Sequence, residues 1–339
     1  MKLTQLMASA AIAAVVATAS YAKENLIISS WLPPSHPINV DMLEGLIDMM
    51  EEATDGEVTG ELKLGLAPPP AQMDLVMDGA ADMTIIFHGY QPGRFVGTKL
   101  IELPGYEGSA EAASVAYWRV QEAYLDKLDE HRGVKLIGLS THGPGQIHSN
   151  QAVETLDDLN GLKTRLGGGV SADVAAELGL IGIQVPAPKV YETLDSGAAD
   201  GVAMNMGERT SFKLNEVAKN VYEIPGGFYR GSFAVLMSQE KFDALPEAAQ
   251  KALEDNVFGE PFSRMMGKAW DASDERARAE TEAAEDNTIV TASEEDQAKF
   301  AEMAARVRDK ILAEIEAAGI DAQAAHEMVK AEMAKESSK

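Results

Sequence analysis

The stretch that decides the fold runs from residue 156 to residue 205 and reads LDDLNGLKTRLGGGVSADVAAELGLIGIQVPAPKVYETLDSGAADGVAMN. An Asn-Gly turn leads into residues 162–166, where apolar side chains alternate as in a strand, and a helical pattern follows over 171–178. Three glycines separate the two, so Arg165 stands at a strand end beside the start of a helix. A guanidinium group and the N–H groups of a helix N-terminus both suit a carboxylate or a phosphate. The stretch therefore predicts an anion site within an α/β unit.

The composition of the whole chain limits the classes of partner. With 339 residues the chain is long enough for two domains, and 45% hydrophobic residues can supply their cores. The formal net charge of −25 argues against a nucleic-acid partner and against docking on anionic lipid. The chain has no cysteine, which excludes disulfides and thiolate chemistry. An anion site in so acidic a protein must therefore depend on local positive groups.

The first 22 residues have the pattern of a secretory signal peptide. Lys2 is followed by an apolar run from Leu6 to Thr18, and Ser20-Tyr21-Ala22 fits a cleavage site. The competing interpretation is a membrane anchor, but the run is too short to span a bilayer comfortably. We therefore expect an exported, periplasmic protein that begins near Lys23 and does not insert into the membrane once the signal is removed.

Aromatic and histidine side chains follow two predicted strands, Asn25–Ser30 and Asp82–Phe87. In open α/β sheets, ligands bind outside the carboxyl ends of the strands. Each of these side chains alone is at least as often a core aromatic or a loop residue, but together they form a candidate pocket. The set comprises Trp31, His36, Phe87, His88 and Tyr90.

The order of predicted elements indicates an α/β fold with two lobes and a cleft between them. A segment rich in glycine and proline, residues 141–148, has the character of an interdomain crossing. After residue 238 the pattern is almost entirely helical, with Pro261 expected to kink a long helix. The predicted division is lobe I at 23–145 and 231–260, lobe II at 146–230, a long connecting helix at 246–285 and C-terminal helical support at 286–339.

Catalytic and cofactor motifs find no support in the chain. His142 and His148 lie in the crossing segment without a third ligand, so no metal site is predicted. There is no G-x-S-x-G nucleophile elbow, and no G-K-[ST] follows the three glycines. A binding protein, in contrast, needs only a cleft and a few convergent polar groups. We therefore expect a binding protein with no cofactor, closed around its ligand by a hinge motion.

Ordered motifs through most of the mature chain make this expectation specific. They are W-x-P-P-x-H-P at 31–37, G-A-A-D at 79–82, H-G-Y-x-P-G-R-F at 88–95, E-L-P at 102–104, D-L-x-G-L-K-x-R at 158–165, V-Y-E-x-L-x-x-G-x-x-D-G at 190–201, S-F-x-V-L-M at 232–237 and L-P-E-x-x-Q-K-A-L at 245–253. With these motifs the chain resembles the solute-binding subunits of tripartite ATP-independent periplasmic (TRAP) transporters, the family typified by C4-dicarboxylate-binding proteins.

The resemblance implies a two-lobe fold of the periplasmic-binding-protein type, with a long helix spanning both lobes. It implies that Arg165 pairs with the carboxylate of a small organic acid. The expected macromolecular partners are the membrane permease subunits of a TRAP transporter, driven by an ion gradient, and no catalysis is expected.

Several positions depart from the pattern of the family. Gly145 stands where many members carry a second basic or polar group, and Lys189 stands where the residue before V-Y is often Glu. Either Met204 or Asn205 takes the place of the family asparagine. These departures favour a monocarboxylate with an apolar or aromatic body over a dicarboxylate or sialic acid. The predicted ligand-binding residues are Arg165, Asn205, Trp31, His36, Phe87, His88, Tyr90, His148, Met204, Phe228 and Tyr229.

Two other functions are consistent with the same patterns. One is a binding protein of an ATP-driven importer or of a sensory system, which shares the general fold. The other is an exported hydrolase or lyase, which would turn over its ligand rather than bind it stoichiometrically.

Overall fold

The computed structural model describes residues 23–338, which form two β-sheets with helices packed around them. The predicted signal peptide lies outside the described residues. The strands in chain order are β1 (Glu24–Ser30), β2 (Val58–Leu64), β3 (Met83–Phe87), β4 (Val134–Thr141), β5 (Gln146–Ser149), β6 (Lys163–Leu166), β7 (Ile181–Gln184), β8 (Gly201–Met204), β9 (Asn220–Glu223), β10 (Ser232–Ser238) and β11 (Thr288–Thr291).

The α-helices surround and connect these sheets. In chain order they are α1 (Glu44–Ala53), α2 (Gln72–Met77), α3 (Ala110–Ala123), α4 (Val170–Glu177), α5 (Val190–Asp195), α6 (Glu208–Ser211), α7 (Leu214–Val217), α8 (Gln239–Asp243), α9 (Glu247–Asn256), α10 (Glu260–Ala283), α11 (Glu294–Ala317) and α12 (Ala322–Ser337). A π-helix, Ile38–Leu43, precedes α1, and a 3₁₀ turn, His88–Tyr90, follows β3. Between residues 23 and 338, no helix has the length and apolar character needed to cross a membrane.

The first sheet has the strand order β2-β1-β3-β10-β4. Strands β1, β2 and β3 are parallel, and β10 runs antiparallel to both of its neighbours, β3 and β4. Strands β3 and β10 are buried almost throughout, as their continuous apolar sequences predict for strands covered on both faces. Because β1 and β3 are parallel, the segments that follow them meet at one edge of the sheet, which brings Trp31 close to the 3₁₀ turn.

The second sheet has the strand order β11-β9-β5-β8-β6-β7. Strand β6, which ends just after Arg165, is parallel to both of its neighbours, β7 and β8. The edge strand β11 comes from the C-terminal segment and pairs with β9. The prediction of purely helical support over 286–339 is therefore corrected, since the β-branched run Thr288–Thr291 extends the sheet.

The predicted continuous helix over 246–285 is two helices, α9 and α10. The helix is interrupted at Gly259, whose φ of +85° is a conformation that residues with a side chain rarely adopt. A Cβ at Gly259 would also lie 2.9 Å from the ring of Trp118. Pro261 occupies the first turn of α10, where its missing N–H is no loss. It therefore begins a helix instead of kinking one.

Helix α10 spans both sheets, as predicted, and two of its carboxylates form hydrogen bonds with different lobes. Asp271 accepts hydrogen bonds from the first two N–H groups of α3, at 2.6 and 2.9 Å, beside the first sheet. Asp274, one turn later, accepts from the Asn205 side chain at 2.6 Å and from the N–H of Gly207 at 2.7 Å, beside the second sheet. The α/β fold with two lobes and a spanning helix is thus confirmed.

Candidate functional site

A cavity lies between the two sheets, and both lobes contribute to its wall. The space between the lining side chains, with its opening to solvent, measures about 400 Å³. The first-sheet side contributes Trp31, Leu32, His36, Ile38, Phe87, Tyr90, His142 and Phe233. The second-sheet side contributes Arg165, Gly167, Ala187, Met204, Asn205, Glu208, Phe212 and Tyr229, and α10 contributes Trp270.

Arg165 is a buried cation that forms no ion pair with the described residues. Its side chain, 2% exposed, donates from Nε to the carbonyl oxygen of Val185 at 2.8 Å and from Nη2 to the hydroxyl of Tyr90 at 3.1 Å. Within residues 23–338, no group accepts a hydrogen bond from its Nη1 and no carboxylate forms an ion pair with it. A buried charge is costly unless it is paired. An anion in the cavity would supply the partner that this guanidinium lacks.

Two other arginines are buried, but they have structural partners. Arg209 donates to the carbonyl of Ala218 and to the side chains of Thr281 and Asn287. Arg230 donates to backbone carbonyl oxygens, at Gly108 among others. Neither side chain lines the cavity. Arg165 is thus the one cation in the described cavity wall.

Tyr90 connects the two lobes beside Arg165. Its hydroxyl oxygen accepts from the N–H of Ala187 at 2.7 Å as well as from Arg165. Burial raises the pKa of the Tyr90 hydroxyl, although the positive charge of Arg165 opposes the shift. The hydroxyl therefore stays protonated, and its hydrogen remains available to an acceptor such as a ligand carboxylate.

Aromatic rings form the apolar walls of the cavity. Tyr90 packs edge-on against Trp31 and Phe87, with ring centroids 5.6 and 4.8 Å apart. Phe233 continues the wall, 5.1 Å from Phe87 and 5.4 Å from Trp270. Such a lining suits a flat apolar ligand body, because aromatic pairs add to the gain from apolar burial.

A carboxylate lies in the same cavity wall. Glu208 is 4% exposed, and one of its oxygens, Oε2, lies 3.2 Å from Nε2 of His36. The N–H of Ile38 donates to Nδ1 of His36, so the imidazole carries its hydrogen on Nε2 and donates it to Glu208. This bond joins the two lobes, as the Tyr90 contacts do.

Asn205 lies beside this carboxylate in the wall. Its amide nitrogen donates a hydrogen bond to Asp274. Burial raises the pKa of the Asp274 carboxyl to about 7. The Oδ1 of Asn205 has no hydrogen-bond partner among the described groups. Met204, the other candidate for the family asparagine, also lines the cavity but offers only a thioether.

The structure brings most of the predicted residues to the cavity. Those in its wall are Arg165, Asn205, Trp31, His36, Phe87, Tyr90, Met204 and Tyr229. Four of the five residues chosen by the strand-end rule in the first lobe thus line the cavity, and His88 does not.

Three predicted residues lie away from the cavity, in contrast to the expectation from sequence. His88 contacts Ser232 and His131 behind the sheet, and burial lowers its pKa. His148, a fully buried residue of β5, donates to the carbonyl of Met204, and burial lowers its pKa to about 3. Phe228 packs in the apolar core against Tyr222 and Phe300. Each is explained by packing.

Sequence reasoning missed five polar or aromatic residues of the wall: His142, Glu208, Phe212, Phe233 and Trp270. Glu208 could have been found, because it opens the helix after β8 and so follows a strand end. Trp270 gives no such signal, since it lies in the middle of α10.

The positions that depart from the family have clear structural settings. A Cβ at Gly145 would lie 2.4 Å from the ring of Tyr229, so that ring occupies the space of a side chain at 145. The two residues also pair through their backbones. Lys189 is exposed, pairs with Glu192 and is not part of the cavity wall. Over residues 23–338, no group of three or more potential ligands could hold a metal ion.

Comparison with known proteins agrees with this arrangement. Residues 28–315 match the model of the bacterial extracellular solute-binding proteins, family 7. A TRAP periplasmic solute-binding protein from Bordetella bronchiseptica, solved with bound (R)- and (S)-mandelate, is similar at 37% identity. Its TM-score is 0.89, over 92% of this chain and 99% of that chain.

Two further solved structures are similar over nearly the whole chain. A TRAP solute-binding protein from Rhodoferax ferrireducens T118, in complex with copurified benzoate, has 27% identity and a TM-score of 0.86, over 93% of this chain and 98% of that chain. A marine metagenome protein specific for aromatic acid ligands, with 3-hydroxybenzoate, has 26% identity and a TM-score of 0.85, over 93% and 99%.

Proposed function

The chain belongs to family 7 of the bacterial extracellular solute-binding proteins, as its motifs predicted, and on this premise we propose that it captures an aromatic monocarboxylate. In this role it binds the acid outside the cytoplasm and delivers it to the permease of a TRAP transporter without changing it chemically. The observation that carries the proposal is the buried, unpaired guanidinium of Arg165 in a cavity with aromatic walls.

The charge of the cavity supports one carboxylate on the ligand. Arg165 is the one cation among the described lining residues, and Glu208 in the same wall would repel a second ligand carboxylate. The position that could supply another basic side chain is Gly145, where the Tyr229 ring fills the space. A dicarboxylate would therefore leave one of its charges buried without a partner.

The aromatic rings support a flat apolar body. Relatives that bind mandelate, benzoate and 3-hydroxybenzoate share 37%, 27% and 26% of their sequence with this chain. Phe87, Tyr90 and Phe233 line the same cavity as Arg165, so we propose that they hold the aromatic ring of the acid while Arg165 binds its carboxylate.

The proposal is tested by calorimetric titration of the mature protein with benzoate, with its uncharged isostere benzamide, and with succinate. We expect benzoate to bind stoichiometrically and without turnover, and to bind much more tightly than the other two. In Arg165→Met, the preference for benzoate over benzamide should fall by roughly 100-fold, since a buried charge-assisted pair contributes about 3 kcal/mol.

Arg276→Met is the matched control, because Arg276 is an exposed arginine that pairs with Asp41. It should retain the preference of the natural chain for benzoate. An Arg165→Met variant that keeps this preference would contradict the role of Arg165. Tighter binding of succinate than of benzoate would contradict the ligand class.

A further inference from the structure

Residues of the cavity wall carry polar atoms that no described group satisfies. Among the described residues, Oδ1 of Asn205 has no hydrogen-bond donor and Nε1 of Trp270 has no acceptor, although both side chains are buried, 1% exposed. Glu208 has one oxygen bound to His36, while its Oε1 has no hydrogen-bond partner within residues 23–338. Unsatisfied buried groups are rare in folded proteins, and several in one cavity point to a ligand that satisfies them.

These atoms differ from Arg165 in what they require of a ligand. The carboxylate of the acid would be taken by Arg165, and it cannot donate a hydrogen bond to Glu208 or Asn205. The remaining polar group of the ligand must therefore donate to one of these oxygens. It must also accept from the indole N–H of Trp270.

A hydroxyl group meets both requirements. It has one hydrogen to donate and two lone pairs to accept with, whereas an ammonium group can only donate. A ring or methylene carbon in the same place does neither. The presence of both an unpartnered donor and unpartnered acceptors thus distinguishes a hydroxylated ligand from an amino acid and from an unsubstituted aromatic acid.

Resting on the proposed function, we propose that Glu208 and Asn205 make this protein a receptor for hydroxylated aromatic acids. Glu208 is the residue that recognises the hydroxyl, and Arg165 the residue that recognises the carboxylate. An acid without the hydroxyl would leave the acceptors buried and unpaired, which is the most effective way for a site to reject an analogue.

His36 positions Glu208 for this role. Its Nε2–H holds one carboxylate oxygen, which leaves the other for the ligand. Because His36 lies on the first-sheet side and Glu208 on the second-sheet side, this contact requires the lobes to be closed. Recognition of the hydroxyl is in this way coupled to closure.

The test compares two pairs of acids that differ by a hydroxyl group: phenylacetate with mandelate, and benzoate with 3-hydroxybenzoate. Phenylglycine is included as the ammonium analogue of mandelate. Dissociation constants are measured by calorimetry on the mature protein, with the mandelate enantiomers titrated separately. We expect the hydroxylated member of at least one pair to bind about 10- to 100-fold more tightly, as a hydrogen bond to a charged group provides.

The variant Glu208→Gln isolates the residue. The amide oxygen of the glutamine can still accept from His36. The ligand then faces the neutral NH₂ group, which donates hydrogen bonds and cannot accept the hydroxyl hydrogen. The preference within the pair should fall to about threefold or less. Glu192→Gln is the matched control, an exposed glutamate paired with Lys189, and it should keep the preference of the natural chain.

The outcomes separate this inference from the proposed function. Equal affinities within both pairs overturn the hydroxyl selectivity and leave aromatic acid binding standing. Tighter binding of phenylglycine than of mandelate overturns it in favour of an ammonium group. Absence of binding by all five acids overturns both proposals. If Glu208→Gln does not fold, the affinities of the natural chain for the same acids still decide between these outcomes.

Discussion

Replacing Tyr90 with phenylalanine should weaken ligand binding while leaving the ligand-free protein almost as stable as before. The substitution removes one oxygen that accepts two hydrogen bonds, from the N–H of Ala187 at 2.7 Å and from Nη2 of Arg165 at 3.1 Å. Both donors lie in the second lobe, whereas Tyr90 belongs to the first. The interaction therefore exists only when the cleft is closed.

The size of the effect follows from these two bonds. A neutral hydrogen bond contributes about 0.5–1.5 kcal/mol net, and one to a charged group about 1.5–3 kcal/mol. Water can replace part of this, because Tyr90 is only half-buried. A loss of roughly 1.5–3 kcal/mol remains, equivalent to about a 10- to 100-fold rise in the dissociation constant for benzoate.

Calorimetry and thermal unfolding together test this reasoning. We expect Tyr90→Phe to show the weaker affinity and a smaller increase in Tm on addition of benzoate, with a ligand-free Tm close to that of the natural chain. Tyr191→Phe is the control, since its exposed hydroxyl bonds to Glu216 far from the cavity. A Tyr90→Phe variant that binds benzoate within twofold of the natural chain would refute the argument.

Two further substitutions test other parts of the structure. Burial raises the pKa of Glu102 from 4.5 to about 7. Between pH 4.5 and pH 7 the folded state therefore keeps a proton on Glu102 that the unfolded state has released. The free energy of unfolding of the natural chain, relative to that of Glu102→Gln, should therefore fall by up to roughly 3 kcal/mol as pH rises from about 4.5 to 7. A difference between the two proteins that stays constant over this pH range, measured by urea denaturation, would contradict the prediction. Gly259→Ala should lower the free energy of unfolding by about 1–3 kcal/mol through its positive φ, whereas the neighbouring Pro261→Ala should change it by less than about 1 kcal/mol. Equal effects of the two in urea denaturation would contradict the assigned helix boundary.

Local sequence patterns predicted the parts of the site that lie at strand ends. Alternation over residues 162–166 and the glycines after them located Arg165, and the loop after β3 located Tyr90. The same rule failed for His88, two residues before Tyr90, because direction within a 3₁₀ turn depends on packing that the sequence does not display. His88 turns towards His131 on the far side of the sheet.

Other parts depend on contacts between distant segments. Trp270 reaches the cavity because α10 crosses between the lobes, and no local pattern records that crossing. Strand β11 is four residues long and would be unremarkable alone; it forms because β9 offers an open edge. The break between α9 and α10 lies at Gly259 and Pro261, and a proline in a helical pattern does not by itself distinguish a kink from the start of a new helix.

The packing of Tyr229 against Gly145 restricts how this receptor could change its ligand over evolution. A basic side chain at position 145 would give the cavity a second positive charge, yet its Cβ would lie only 2.4 Å from the tyrosine ring, which is a steric clash. A smaller residue at 229 alone would leave a void in the wall and remove the hydroxyl bond to Ala203. Each single step is therefore unfavourable on its own. A second positive charge at this point of the cavity therefore requires both substitutions together.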